Sequence, residues 1–174
     1  MDDSFNHRKS QNRPNHPGDV ESLLLGLAAC VSGPGTRTEK LRKAANALRQ
    51  GGGYRWVGLY DVDHVRGVVS NMVWDGPSPP AHPVFPADKG LTGRAIRTRA
   101  AVNVGDVASD PDYLNALGDT RSEIIVPVLD SRGSVAGTID IESEHRDAFT
   151  LEAQKLLERC AAVIRPLWTR SGRH

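Results

Sequence analysis

The chain has 174 residues, 39% of them apolar, with 22 Lys+Arg against 21 Asp+Glu for a formal net charge of +1. That length suits one domain with a tail to spare, and near-neutrality supplies no global field for nucleic acid or an acidic partner. No stretch approaches the ~18 apolar residues of a membrane span. The polar start MDDSFNHRKSQNRPNHPGD lacks a signal peptide's apolar segment, and Cys30 and Cys160 make neither a disulfide framework nor a zinc site. A cytoplasmic, single-domain protein is expected.

Residues 1–19 are too polar to offset their ordering entropy and read as a disordered arm. The domain is expected to span residues 20–168, with 169–174 a frayed tail. VESLLLGLAACV reads as a helix ended by the GPG at 33–35. Thr36 or Thr38 can cap a second helix, TEKLRKAANALRQ, stopped by three glycines. Two strands follow, YRWVGLYDV and GVVSNMVW, joined by a turn at 63–66. Residues 76–86 read as a Pro-rich loop, KGLTGRAIRTR as a short helix and AVNV as a short strand. Residues 105–120 are too polar and turn-rich for a core element, and a loop that long is more often functional than not. SEIIVPVLD and SVAGTIDIES are strands around Ser131-Arg132-Gly133. A final helix opens at Thr150 and ends or kinks at Pro166. Strands joined by short turns pair antiparallel. The fold class is therefore α+β: an antiparallel central sheet with terminal helices packed on one face.

Alternation sorts the strand residues into two faces. Val57, Leu59, Ile124, Val126, Val128, Ile139 and Ile141 suit the helices. Trp56, Gly58, Tyr60, Glu123, Thr138, Asp140 and Glu142 point the other way. A solvated face would explain the carboxylates alone. Two large aromatics rarely lie bare, so segments 76–90 and 105–120 are expected to cover them. The result is a cupped pocket of Trp56, Tyr60, Glu123, Asp140 and Glu142. Such a pocket suits an ammonium through charge pairing and cation–π contact, or a hard metal ion that prefers oxygen ligands. The aromatic pair favours the organic cation.

The string KGLTGRAIRTRAAVNVGDV, followed by SEIIVPVLD, GTIDIES and a closing helix, resembles a GAF domain over roughly residues 20–168. RWVGLY, SEIIVPV and GTIDIES resemble the free methionine-R-sulfoxide reductases most. The resemblance implies that Trp56, Tyr60, Glu123, Asp140 and Glu142 line an amino-acid pocket. Glu142 stands where those reductases usually carry Asp. It also implies cysteine thiolate chemistry, yet the three cysteine positions fall on His82, Thr92 and Ala116. A threonine hydroxyl is too weakly acidic and too hard a nucleophile for a sulfenic-acid and disulfide cycle. Cys30 and Cys160 sit in the apolar stripes of the outer helices and read as small buried hydrophobes. No catalytic residue, resident cofactor or resident metal is therefore expected.

Three readings stay open: a sensory or regulatory domain holding a small amine or amino-acid-like zwitterion, a reductase-like oxidoreductase acting by an atypical route, and a metal-binding or structural domain. Apolar helix faces imply a homodimer. Gly90-x-x-Gly93 lacks the Lys-Ser/Thr of a phosphate loop, although free N–H groups there could accept a ligand carboxylate. His-Arg-Asp at 145–147 lacks the context of a kinase loop. His64 reads as a solvated turn residue, and Arg94, Arg97 and Arg99 as a solvated helix face.

Overall fold

A computed structural model describes residues 17–115 and 117–168. Helix α1 spans Pro17–Ser32 and α2 Arg37–Gly52; strands β1 (Trp56–Asp63) and β2 (Val68–Asp75) form a hairpin. Then come β3 (Val84–Pro86), α3 (Gly90–Thr98), β4 (Val102–Val104), β5 (Ser122–Leu129), β6 (Val135–Ser143) and α4 (Leu151–Ile164). The six strands form one antiparallel sheet in the order β3-β2-β1-β6-β5-β4.

Local chemistry sets the boundaries. Thr36, not Thr38, caps α2: its hydroxyl accepts from Glu39 N at 3.3 Å, and the Glu39 carboxylate accepts from Thr36 N at 2.7 Å. Gly53, at φ 63°, takes the left-handed turn that closes the helix. In the β1–β2 turn, Asp63 Oδ1 accepts from the amides of Val65 and Arg66.

One face of the sheet carries Val57, Leu59, Ile124, Val126, Val128, Ile139 and Ile141, all packed with Leu41, Leu48, Leu157 and Ile164 in the main core. Helices α2 and α4 cover that face. A 3-10 turn at Arg165–Leu167 follows α4, after which Trp168 Nε1 donates to the Tyr60 carbonyl at 3.1 Å. Gly137 makes this possible, since a Cβ there would lie 1.9 Å from the indole nitrogen.

Several expectations need correcting. The first helix begins at Pro17, inside the expected arm, and residues 1–16 and 169–174 lie outside the described residues. Helix α1 packs on α2 and α4 rather than directly on the sheet, which leaves Cys30 only half-buried while Cys160 is fully enclosed. The Pro-rich loop ends in β3, a short strand that pairs Val69 with Phe85. His64 is exposed, but its Nε2 lies 2.8 Å from the Val135 carbonyl. Arg94 is no idle surface charge: it holds Asp110 at 2.6 Å and Asp112 at 2.8 Å. No helix among the described residues is long and apolar enough to cross a membrane.

Candidate functional site

The other face of the sheet is built by register. Glu123 on β5 stands directly opposite Glu142 on β6, and Glu142 opposite Trp56 on β1. Two residues along, Asp140 sits between Ile125 and Gly58, and Thr138 stands opposite Tyr60. Directly opposed residues on one face bring their Cβ atoms to about 5 Å. The three carboxylates accordingly meet, with one oxygen from each of Glu123, Asp140 and Glu142 within 4.8 Å of the others.

Gly58 makes room for the aromatics. A Cβ there would meet the Trp56 ring at 2.4 Å and the Tyr60 ring at 2.7 Å. Gly76 does the same on the far side of Trp56, where a Cβ would come within 2.3 Å of the indole. The indole N–H donates to the Ser78 carbonyl at 2.9 Å.

Burial dominates the electrostatics. Glu123 and Asp140 are each 6% exposed and Glu142 is 0% exposed. Thr120 donates its hydroxyl to Glu142 Oε2. Glu123 Oε2, Asp140 Oδ1, Glu142 Oε1 and the Thr138 hydroxyl have no hydrogen-bond partner among the described residues. Desolvation, then the neighbouring carboxylates, push Glu123 and Asp140 well above the usual carboxylate range. Glu142 is pushed up to about 7 by burial, with the Thr120 hydroxyl and Arg55 opposing. Burial and the same three acids hold the Tyr60 phenol protonated. A group offering two or three positive hydrogen-bond donors, or a hard cation, would suit the three orphaned carboxylate oxygens.

A small cavity of about 30 Å³ adjoins this cluster, bounded by Tyr60, Phe85, His82, Thr92, Leu114, Glu123 and Asp140, with Pro80, Gly90 and Leu91. It has room for one ammonium-sized group and no more. Helix α3 points its first turn at this space, and its N-cap Lys89 makes no side-chain capping bond. The helix enters tightly, because a Cβ on Gly93 would meet the Asp88 backbone at 2.5 Å. Amide donors and the positive helix end therefore face three carboxylates across one small space.

Of the five residues expected at the pocket, Tyr60, Glu123 and Asp140 border the cavity. Trp56 and Glu142 stand behind it: Trp56 packs with Leu117 and Tyr60, and Glu142 completes the acid cluster. Phe85, Leu114 and Thr120 belong to the site as well. Phe85 sits on a three-residue strand, and Leu114 and Thr120 lie in irregular segments, so no periodicity marks their direction.

The GAF domain family model matches residues 36–165. The chain belongs to the GAF domain family. The free methionine-R-sulfoxide reductase of Saccharomyces cerevisiae is 34% identical over 76 residues, 44% of this chain and 42% of that protein, so the match spans less than half of that relative. GAF domain-containing protein A of Dictyostelium discoideum is 26% identical over 144 residues, covering 83% of this chain and 89% of that one. Among solved structures, the free methionine-R-sulfoxide reductase of Neisseria meningitidis in complex with its substrate superposes with a TM-score of 0.78 at 29% identity, covering 86% of this chain and 87% of that one. The type II enzyme of Thermoplasma acidophilum gives 0.71 at 32% identity, over 76% and 92%.

In this GAF domain the thiols lie away from the acids. Cys160 is packed in the helix-side core, where burial pushes its thiol up to about 12. Such a thiol holds no useful thiolate near neutrality. His82 and Thr92 border the cavity at two of the positions where the resemblance calls for cysteine, and Ala116 lies outside the described residues.

The cavity is roofed by two segments held by arginines. Arg94 on α3 ties down Asp110 and Asp112, and Arg55 at the foot of β1 reaches Asp119 at 2.5 Å. Leu114 lies between these two clasps.

Proposed function

We propose that this GAF domain binds a small amine or amino-acid-like zwitterion and serves as a sensory or regulatory module rather than a thiol-dependent reductase. The observation that carries this reading is the set of buried carboxylate oxygens of Glu123, Asp140 and Glu142 left without partners beside an uncapped helix N-terminus. An ammonium supplies the missing donors and relieves the repulsion, Tyr60 offers a ring face, and the α3 amides donate to a ligand carboxylate. A ligand larger than an ammonium group has to enlarge this cavity of about 30 Å³, and displacement of the loop that carries Leu114 would supply the conformational change that a regulatory module transmits.

The reductase reading is favoured by the likeness to the Neisseria and Thermoplasma enzymes. The residues at the cavity speak against it, since neither His82 nor Thr92 can run a sulfenic-acid and disulfide cycle.

A thermal-shift screen over amino acids, their sulfoxides and simple amines tests the proposal, run beside a reductant-consumption assay with methionine-R-sulfoxide and thioredoxin. The expected result is a rise in melting temperature with at least one amine, larger at pH 7.5 than at pH 4.5, and lost in Asp140→Asn. Reductant consumption should match the protein-free rate. Stabilisation by no amine, or turnover abolished by Cys30→Ser or Cys160→Ser, overturns the reading.

A further inference from the structure

A second cavity lies away from the acid cluster. It encloses about 580 Å³, within the ~300–1,000 Å³ range of small-molecule sites. It opens between the C-terminal end of α2 and the first turn of α4, with Val20 of α1 at its edge, and shares no lining residue with the carboxylate cavity.

Its floor is aromatic. Tyr54 and Phe149 stand 5.9 Å apart with rings tilted at 49°, and Leu156 extends the apolar surface. The Tyr54 ring lies against Gly52, where a Cβ would approach within 2.0 Å. Any residue other than glycine there would displace the ring that forms the floor.

The wall carries two arginines in different states. Arg55 is committed to Asp119 at 2.5 Å and to Glu144 at 3.8 Å. Arg49 is oriented by its Nε, which donates to the Arg55 carbonyl at 3.0 Å. Among the described residues its terminal nitrogens form one ion pair, with Asp75 at 3.6 Å, too long for a hydrogen bond. Arg49 therefore presents an oriented guanidinium fork with donors to spare, the geometry that recognises a carboxylate. Glu144 and Glu152 also line the cavity and repel any anion, so Arg49 has to outweigh them and a ligand with one carboxylate is favoured over one with two.

We propose that this cavity is a second ligand site, for a small organic monoacid whose carboxylate pairs with Arg49 and whose apolar ring rests on Tyr54 and Phe149.

Titration of the full chain with phenylacetate, followed calorimetrically and by amide chemical shifts, tests it. Saturable binding is expected, with shifts centred on Gly53, Tyr54 and Phe149. 2-Phenylethanol, which keeps the ring and lacks the charge, should bind about tenfold more weakly or worse. Arg49→Gln should weaken phenylacetate by a similar factor. Ala153→Trp fills the cavity from the half-buried first turn of α4 and should abolish binding while the melting temperature is retained. Asp140→Asn, in the other cavity, should change nothing. Absence of saturable binding overturns the proposal. So does affinity unchanged in Arg49→Gln, binding that persists in a folded Ala153→Trp, or binding lost in Asp140→Asn.

Discussion

Ile139 and Asp140 are neighbours on β6 and both are hidden from solvent, at 0% and 6% exposure. Ile139 joins the helix-side core, where removing apolar surface from water drives folding at roughly 25 cal/mol per Å². Asp140 is buried as deeply and leaves an oxygen without a partner, which opposes folding. One strand therefore carries stability on one side and an unmet demand for donors on the other. Places where a chain breaks the rules of burial are where function is to be sought. The helix side holds the fold together so that the loop side can remain unsatisfied.

Substitutions at those two neighbours should separate the faces most widely. Ile139→Ala is expected to lower unfolding free energy by about 2–5 kcal/mol. Asp140→Asn should leave the unliganded protein as stable or more so, because it removes a buried carboxyl group that is costly to ionise beside Glu123 and Glu142. Chemical denaturation of both variants checks the contrast, and a large loss in Asp140→Asn would mean that the acids form a satisfied structural network.

The pH dependence follows from the same difference. Glu123, Asp140 and Glu142 hold protons in the folded chain at pH values where an unfolded chain, with ordinary carboxylates at 3.8 and 4.5, has released them. The folded state then binds more protons, so this contribution to stability falls as pH rises. For Glu142 the window runs from 4.5 to about 7, worth about 3 kcal/mol at most. Denaturation between pH 4.5 and 8 should show a decline that Glu142→Gln flattens.

Gly58 tests the packing of the loop side. A methyl group driven against Trp56 and Tyr60 should cost about 1–3 kcal/mol in Gly58→Ala and blunt any amine-induced thermal shift. An unchanged melting temperature with full ligand response would show that the rings yield freely.

The smallest effect is expected at the roof. Arg94 and its partners Asp110 and Asp112 are partly exposed, so Arg94→Ala should cost only about 0.5–1 kcal/mol. Stopped-flow mixing with a stabilising amine should nevertheless show faster association, because one clasp over Leu114 is gone.

Much of this site is legible in the order of residues along the strands. Period-two alternation in WVGLYDVD and VAGTIDIES puts Trp56, Tyr60, Asp140 and Glu142 on one side and the aliphatics on the other, and SEIIVPVL adds Glu123. Alternation does not say which of them borders open space. Trp56 and Glu142 stand behind the cavity because Gly76, Leu117 and Thr120 close over them, from segments with no repeating pattern. Phe85 gives no strand signal of its own, because β3 is only three residues long and follows a run of prolines.

The amino-acid sequence alone determined the two faces of each strand, the cap at Thr36, the stop at Gly53 and the lack of cysteine at His82, Thr92 and Ala116. These depend on residue identity or on neighbours within a turn or two, where backbone geometry sets the direction of each side chain. Tertiary structure alone decided that Glu123 stands opposite Glu142, that Arg94 and Arg55 hold the 105–120 loop, that α1 lies on helices rather than on the sheet, and that two separate cavities form with no lining residue in common. Those outcomes depend on strand register and loop closure, which pair residues tens of positions apart. Register is chosen by the summed packing of the whole sheet and not by any local stretch of chain.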